Sequence, residues 1–432
     1  MNKTIAFYTL GCKLNYAETD TIANDLQDKG YKRVSFSLAA DYYVINTCSV
    51  TESANKKSRY AIRKALRQNP LACVIVIGCY AQLKPQELSE LSGVSIILGA
   101  QDKFNIHEKI QEFSQTATSK LISSCDISHV HNFVNSYSLE ARTRSFLKVQ
   151  DGCDYACSYC TIPLARGKSR NASIQTIVNQ AEKIVSHGIK EIVLTGINIG
   201  DFGKTTGESF FELLQKLDTV AGLERLRISS IEPNLITSDI VSFVAHSNIC
   251  MPHFHIPLQS GSNEVLKLMK RRYVRETFAQ KVHEIKQKMP YACIGVDVIV
   301  GTPGETDEAF QESCDFIQQL PISYLHVFTY SERENTAALH IEPKVPIAER
   351  NKRSEHLHHI SDSLRQEFHA ANTNIIRPVL FETKTKQGVY TGYTDNYIKV
   401  QCKSNVDIRN SQIDVMLKFV ENQDYMIGVV SE

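Results

Sequence analysis

The 432-residue sequence lacks an excess of either charge: 48 lysines and arginines face 47 aspartates and glutamates, a formal net charge of +1. No global field draws such a chain to nucleic acid, so any RNA contact must come from local patches. Long apolar runs are also missing. The longest mainly apolar stretch, Leu71–Leu83, falls short of the roughly 20 residues that span a bilayer, and no membrane partner is expected. The opening MNKTIAFYTLGCKLN has no extended apolar core and no small-residue cleavage site, so the cytoplasm is the expected compartment. Internal repeats and low-complexity tracts are absent as well. With 42% apolar and 22% charged residues, bulk disorder is excluded. The length suggests about three domains, each able to bury a core without disulfide staples.

Cysteine, in contrast, is plentiful: twelve residues. In a reducing compartment a cysteine cluster reads as metal or redox chemistry rather than as a disulfide framework. Their positions matter only against the predicted elements. From residue 1 to about 115, strand-like runs IAFYTL (5–10), YYVINT (42–47) and VIVIG (74–78) alternate with helical patterns, which implies an α/β domain with a parallel sheet. Residues 116–141 are polar and serine-rich and are expected to be a linker. From 142 to 370, six strand candidates begin with FLKVQ (146–150) and end with YLHVFTYS (324–331), with amphipathic helical segments between them. Six βα units predict a (β/α)6 partial barrel, with its site at the carboxyl ends of the strands. The tail, 371–432, has short β-branched and aromatic runs with Gly and Asn turns and reads as a small all-β barrel.

The sharpest pattern is Cys153-x3-Cys157-x2-Cys160, directly after the first barrel strand. Three thiolates in one tight loop suit an iron–sulfur cubane with one iron left open. A zinc site is the alternative. It takes four ligands, and although no fourth cysteine or histidine lies nearby in sequence, a histidine from elsewhere could complete it. A second trio is dispersed: Cys12, Cys48 and Cys79 each follow a predicted strand, with spacings of 36 and 31 residues. That is about one βαβ repeat each, which brings all three to the carboxyl edge of one sheet, where α/β ligands bind. Buried core cysteines are the bland alternative. The other six, Cys73, Cys125, Cys250, Cys293, Cys314 and Cys402, read as structural.

Polar residues at the barrel's strand ends are candidates to hold a cofactor: Thr195, Gly196 and Asn198, then Ser229 and Glu232, then Gln259, and finally Arg333. Turn formation explains such residues equally well. Tyr159, inside the cysteine loop, is a candidate to pack an adenine ring or simply to pack the loop. Two basic patches are candidates for RNA phosphates. Lys56, Arg59, Arg63 and Arg67 are spaced 3, 4 and 4 on one predicted helix, and Arg271 lies in KLMKRRY. A solvated helix face is the alternative.

The segment DGCDYACSYCTIPLARGKSR resembles the radical S-adenosylmethionine loop of the methylthiotransferases. TLGCKLNYAETD, INTCSVTESANKKSR and IGCYAQ resemble that family's amino-terminal cluster domain, and VLFE…GYTDNYIKV resembles its RNA-binding TRAM domain. The resemblance spans nearly the whole chain. Gly11-Cys12-Lys13-Leu14-Asn15 is most similar to the branch acting on threonylcarbamoyladenosine 37 of tRNA. The isopentenyladenosine branch reads more like GCQMN there, and the ribosomal-protein branch more like GCPKN. In SERENTAA, Asn335 stands where the family pattern has glycine.

The resemblance implies two 4Fe-4S clusters. Cys153, Cys157 and Cys160 would hold the first, whose open iron chelates S-adenosylmethionine. Reductive cleavage there yields a 5′-deoxyadenosyl radical that abstracts hydrogen from C2 of the adenine. Cys12, Cys48 and Cys79 would hold the second cluster, which carries the sulfur, and a second S-adenosylmethionine gives the methyl group. The implied partners are the tRNA anticodon stem-loop, held with the target base splayed out, and an electron donor; a monomer is expected. Two alternatives stand beside this reading. One is the same chemistry on isopentenyladenosine 37 or on a ribosomal protein. The other is a non-catalytic iron–sulfur RNA-binding sensor, which a vacant iron disfavours.

Overall fold

A computed structural model of the chain describes residues 3–49, 51–116, 118–139, 143–385 and 387–430. The first unit is a six-stranded, all-parallel sheet. Its elements are β1 (Thr4–Thr9), α1 (Lys13–Asp28), β2 (Lys32–Val34), β3 (Tyr42–Thr47), α2 (Glu52–Gln68), β4 (Cys73–Gly78), α3 (Cys79–Leu83), β5 (Val94–Leu98) and β6 (Leu121–Ser123), with strand order β2-β1-β3-β4-β5-β6. Strand β3 is buried along its whole length because helices cover both sheet faces. Alternation sorts its side chains: Tyr43 and Ile45 pack with Ala61, Ile62 and Ala65 of α2, while Tyr42 and Val44 pack with Ile22 and Leu26 of α1. Thr51 caps α2 by accepting a hydrogen bond from the Ala54 amide.

The segment expected to be a linker differs. Within it, Leu121 pairs with Ile96 and Ile122 with Ile97, so β6 extends the first sheet. Three residues of strand give too short a run for periodicity to separate from a polar loop. The expected boundary at 141–142 lies outside the described residues.

The second unit holds β7 (Arg144–Lys148), the short antiparallel pair β8 (Gln150–Asp151) and β9 (Arg170–Asn171), then β10 (Glu191–Thr195), β11 (Arg225–Ile228), β12 (His253–Gln259), β13 (Cys293–Val300) and β14 (Tyr324–Thr329). Strands β7, β10 and β11 form one parallel sheet, and β12, β13 and β14 a second. Parallel bridges Leu226–Cys250 and Ser230–His255 join them into one curved wall. This is the expected six-stranded partial barrel. Helix α1 packs on the β7 edge, and the helix Ile347–Ala371 on the β14 edge. Pair β8–β9 brackets the loop that carries Cys153, Cys157 and Cys160.

The third unit is a closed barrel of β15 (Ile376–Lys384), β16 (Val389–Thr394), β17 (Lys399–Lys403), β18 (Gln412–Lys418) and β19 (Met426–Val430), filled by Val379, Phe381, Tyr390, Val400, Val415, Leu417 and Met426. Two arginines of β11 anchor it. Arg225 donates to Gln412 at 2.7 Å and to the carbonyls of Tyr393 and Pro378 at 3.0 and 2.8 Å; Arg227 donates to the carbonyls of Asp395 and Thr394. Both are fully buried, so they hold the third unit rigidly against the second. No helix among the described residues is long and apolar enough to cross a membrane.

Candidate active site

Sheet register decides where the dispersed cysteines go. Thr9 is level with Asn46, Asn46 with Ile77, and Thr47 with Gly78. Cys12, Cys48 and Cys79 therefore leave three neighbouring strands at one edge. Two glycines permit the close approach. A Cβ on Gly11 would lie 2.9 Å from Cys48 Cβ, and one on Gly78 would lie 2.4 Å from the Thr47 carbonyl; both adopt positive φ. Cys12 is exposed, Cys48 half-buried and Cys79 buried.

The other trio lines a cavity of about 310 Å³ at the carboxyl ends of the barrel strands, with Tyr155, Tyr159, Asn198, Glu232, Gln259 and Arg271 around it. The loop begins at Gly152, whose φ is +72° and where a Cβ would lie 2.0 Å from the Lys168 carbonyl. The sulfurs already accept hydrogen bonds: Cys153 from the Tyr155 amide and Cys160 from the Ile162 amide, both at 3.4 Å, and Cys157 from Arg271 at 3.1 Å. Burial pushes Cys153 up to about 11 and Cys160 up to about 12. Such thiols stay protonated until a metal displaces the proton.

This cavity fits a polar cofactor beside a cubane. The buried Oδ1 of Asn198 and Oε1 of Gln259 have no hydrogen-bond partner among the described residues, and both line it. Gln259 itself adopts φ +67° next to a register shift at the end of β12, which re-aims its side chain. Among the described residues, no three histidine, cysteine, aspartate or glutamate side chains could share a single metal ion. A cubane does not require that, since each thiolate binds its own iron.

A larger cavity, about 760 Å³, lies between the units. Cys12 and Lys13 of the first, Thr195, Gly196, Ser229, His253, Asp297 and His326 of the second, and Tyr393, Tyr397 and Lys399 of the third all line it. Of the strand-end candidates, Asn198, Glu232 and Gln259 thus face the smaller cavity with Tyr159, while Thr195, Gly196 and Ser229 face the larger. Arg333 lines neither. It is buried 3.8 Å from Glu52 and within electrostatic reach of Cys48. Asn335 adopts φ +61°, which accounts for the glycine of the family pattern at that turn.

Two basic candidates differ from expectation. Arg271 does not face solvent: its guanidinium, 3% exposed, pairs with Glu232 and touches Cys157 and Tyr159. Arg59 is held by Glu52 at 2.6 Å and Glu87 at 3.1 Å. Spacing places a charge on a face but does not reveal the partner waiting there. Lys56, Arg63 and Arg67 remain exposed on α2.

A buried charge cluster behind the two sites was not foreseen. Glu18 of α1 pairs with Lys103 at 2.7 Å, Lys148 at 3.1 Å and Arg166 at 3.1 Å, and Asp151 pairs with Lys148, Arg166 and Arg170. Arg166 closes the helix that follows Cys160 and also donates to Asn15 at 2.6 Å, so it ties the cysteine loop to α1 just beyond Cys12. The one sequence signal is polar: Asn15, Glu18 and Thr19 share a helical face that a sheet-packed helix ought to bury, and all three are buried.

Comparison with known proteins agrees with this geometry. Residues 4–99 match the family described as uncharacterized protein family UPF0004, and residues 147–317 match the radical SAM superfamily. The threonylcarbamoyladenosine tRNA methylthiotransferase MtaB of Bacillus subtilis (strain 168) is 40% identical, over 99% of this chain and 97% of the relative. The protein of that name from Aquifex aeolicus (strain VF5) is 38% identical, over 92% and 96%. Among solved structures, the radical S-adenosylmethionine methyltransferase TsrM from Kitasatospora setae shares the fold, with a TM-score of 0.57 at 14% identity over 90% of this chain and 81% of that one. Two cysteine trios, a six-stranded partial barrel and near-full-length relatives lead to one assignment: the chain belongs to the methylthiotransferase family of radical S-adenosylmethionine enzymes.

Proposed function

We propose that the chain is a tRNA methylthiotransferase that converts N6-threonylcarbamoyladenosine 37 to its 2-methylthio derivative. The observation that carries this reading is the similarity, over nearly the whole chain, to relatives named for that reaction. In this reading Cys153, Cys157 and Cys160 hold one 4Fe-4S cluster, and Cys12, Cys48 and Cys79 the other. When bound, the pair supplies one-electron cleavage of S-adenosylmethionine and the sulfur to be inserted at an unreactive C–H. The chain's own residues position and shield. Asn198 and Gln259 offer unpaired oxygens to the polar end of S-adenosylmethionine. Arg271, neutralised by Glu232, keeps a donor on Cys157, and Tyr159 closes the wall. The larger cavity takes the target base, with the third unit, a TRAM-like barrel, as its lid against water.

Nucleoside mass spectrometry of tRNA from a strain without this protein tests the reading: 2-methylthio-threonylcarbamoyladenosine is absent and its precursor accumulates. An unchanged level overturns it. The exposed residues Lys56, Arg63 and Arg67 of α2 hold RNA phosphates in this reading. Arg63→Glu therefore weakens tRNA binding severalfold and lowers the slope of log affinity against log salt by about one. An unaltered slope returns that face to plain solvation.

A further inference from the structure

Lys13, Arg365 and Lys399 line the larger cavity and Arg144 and Arg227 lie behind its tyrosines; among the described residues all but one of these five are paired. Arg144 pairs with Glu382 and, at 3.9 Å, with Glu191. Arg227 pairs with Glu191 at 2.9 Å. Lys399 pairs with Asp424 at 2.9 Å, and Arg365 lies 3.3 Å from Asp362. The aromatic wall is likewise closed on itself: Tyr397 stacks on Tyr393 at 5.0 Å and on His253 at 4.4 Å, under the guanidiniums of Arg144 and Arg227. Lys13 is different. It opens α1, extends from the first unit into the cavity and makes no side-chain hydrogen bond or ion pair among the described residues. Tyr397, Arg144, Arg227 and Glu191 act on it electrostatically, and the one carboxylate of these, Glu191, already pairs with Arg227 at 2.9 Å. Lys13 is half-buried in the cavity wall, and a cation so placed with no partner among the described residues marks the place of an anion brought by the ligand.

We infer that Lys13 forms a carboxylate-binding site in the substrate cavity and pairs with the carboxylate of the amino-acid substituent on the target adenine. The inference rests on the function proposed above and adds the residue that reads the substituent. A threonylcarbamoyl group ends in a carboxylate, whereas a dimethylallyl group is a hydrocarbon. The unpaired ammonium therefore favours the first and penalises the second, because a site built for a polar group is left unsatisfied by an analogue that lacks it. Position matters too: Lys13 follows Cys12, so the same backbone turn that carries a proposed cluster ligand carries the group that registers the substrate.

The test uses reconstituted holoenzyme and three synthetic anticodon stem-loops. They carry threonylcarbamoyladenosine, its methyl ester, or dimethylallyladenosine at the target position. Binding is read by fluorescence anisotropy and turnover by kcat/KM. Wild type binds the acid tenfold to a hundredfold more tightly than the ester, as expected for one charge-assisted contact. Lys13→Met loses most of that preference by weakening the acid alone, and Lys13→Arg restores it. Equal affinity of wild type for acid and ester overturns the inference without any variant. So does a Lys13→Met enzyme that keeps the acid preference, or one that loses acid and ester equally, which is a structural role. If wild type turns over the dimethylallyl stem-loop and not the threonylcarbamoyl one, the proposed function itself fails, a result distinct from either of these.

Discussion

Cys157→Ala abolishes 5′-deoxyadenosine formation, whereas Cys12→Ala retains part of it and makes no methylthio product. The reason is geometric. Cys157 lines the small cavity with Asn198, Glu232 and Gln259, where the cofactor binds in the proposed reading, while Cys12 sits at the sheet edge and lines only the larger one. After anaerobic reconstitution the wild-type chain holds about eight irons, and each variant holds about four, as two independent cubanes require. Iron analysis beside a liquid-chromatography assay of 5′-deoxyadenosine reads both. Equal loss of both activities in folded Cys12→Ala protein, or zinc in place of iron, overturns the division of labour.

The second large effect is on stability. Glu18→Ala leaves Lys103, Lys148 and Arg166 around an empty position at the junction of the first two units. Glu18 is fully buried, so no water compensates them. Removing one partner of a buried ionic cluster costs about 3–5 kcal/mol. For units of this size the thermal transition then falls by on the order of 10 °C. Glu18→Gln, which keeps volume and an acceptor, loses less. An unchanged transition in Glu18→Ala means that the cluster contributes no stability.

The same residue predicts a pH dependence. Burial raises the Glu18 carboxyl, but Arg166, Lys103 and Lys148 outweigh it and hold the group below its ordinary value of 4.5. A carboxyl depressed in the fold stabilises the protein above that unfolded value and loses the contribution as pH falls below it. A progressive loss of wild-type stability as pH falls below about 4.5, with a flatter profile in Glu18→Gln, is the expected result.

Several functional features are local and were legible in the chain. Cys153, Cys157 and Cys160 lie within eight residues of one loop, so spacing alone brings their sulfurs together. Cys12, Cys48 and Cys79 are distant in sequence, yet strand and helix periods convert that distance into neighbouring strand ends, and register then aligns them. The tail's short alternating strands likewise announced a barrel, because alternation records which face is buried.

What the sequence by itself determined, then, is the order of strands and helices and the edge at which the six cysteines emerge, since both follow from periodicities of two and 3.6 residues. The tertiary structure alone decided which charges meet. Arg271 reads as a surface cation in KLMKRRY and instead reaches Cys157, 114 residues away. Glu18 finds Lys148 across 130 residues. Gln259 turns inward through a register shift that no local preference signals. Lys13 makes no ion pair among the described residues, in a cavity that residues of all three units line. Pairing and desolvation depend on distances through space, which local preferences along a chain do not encode.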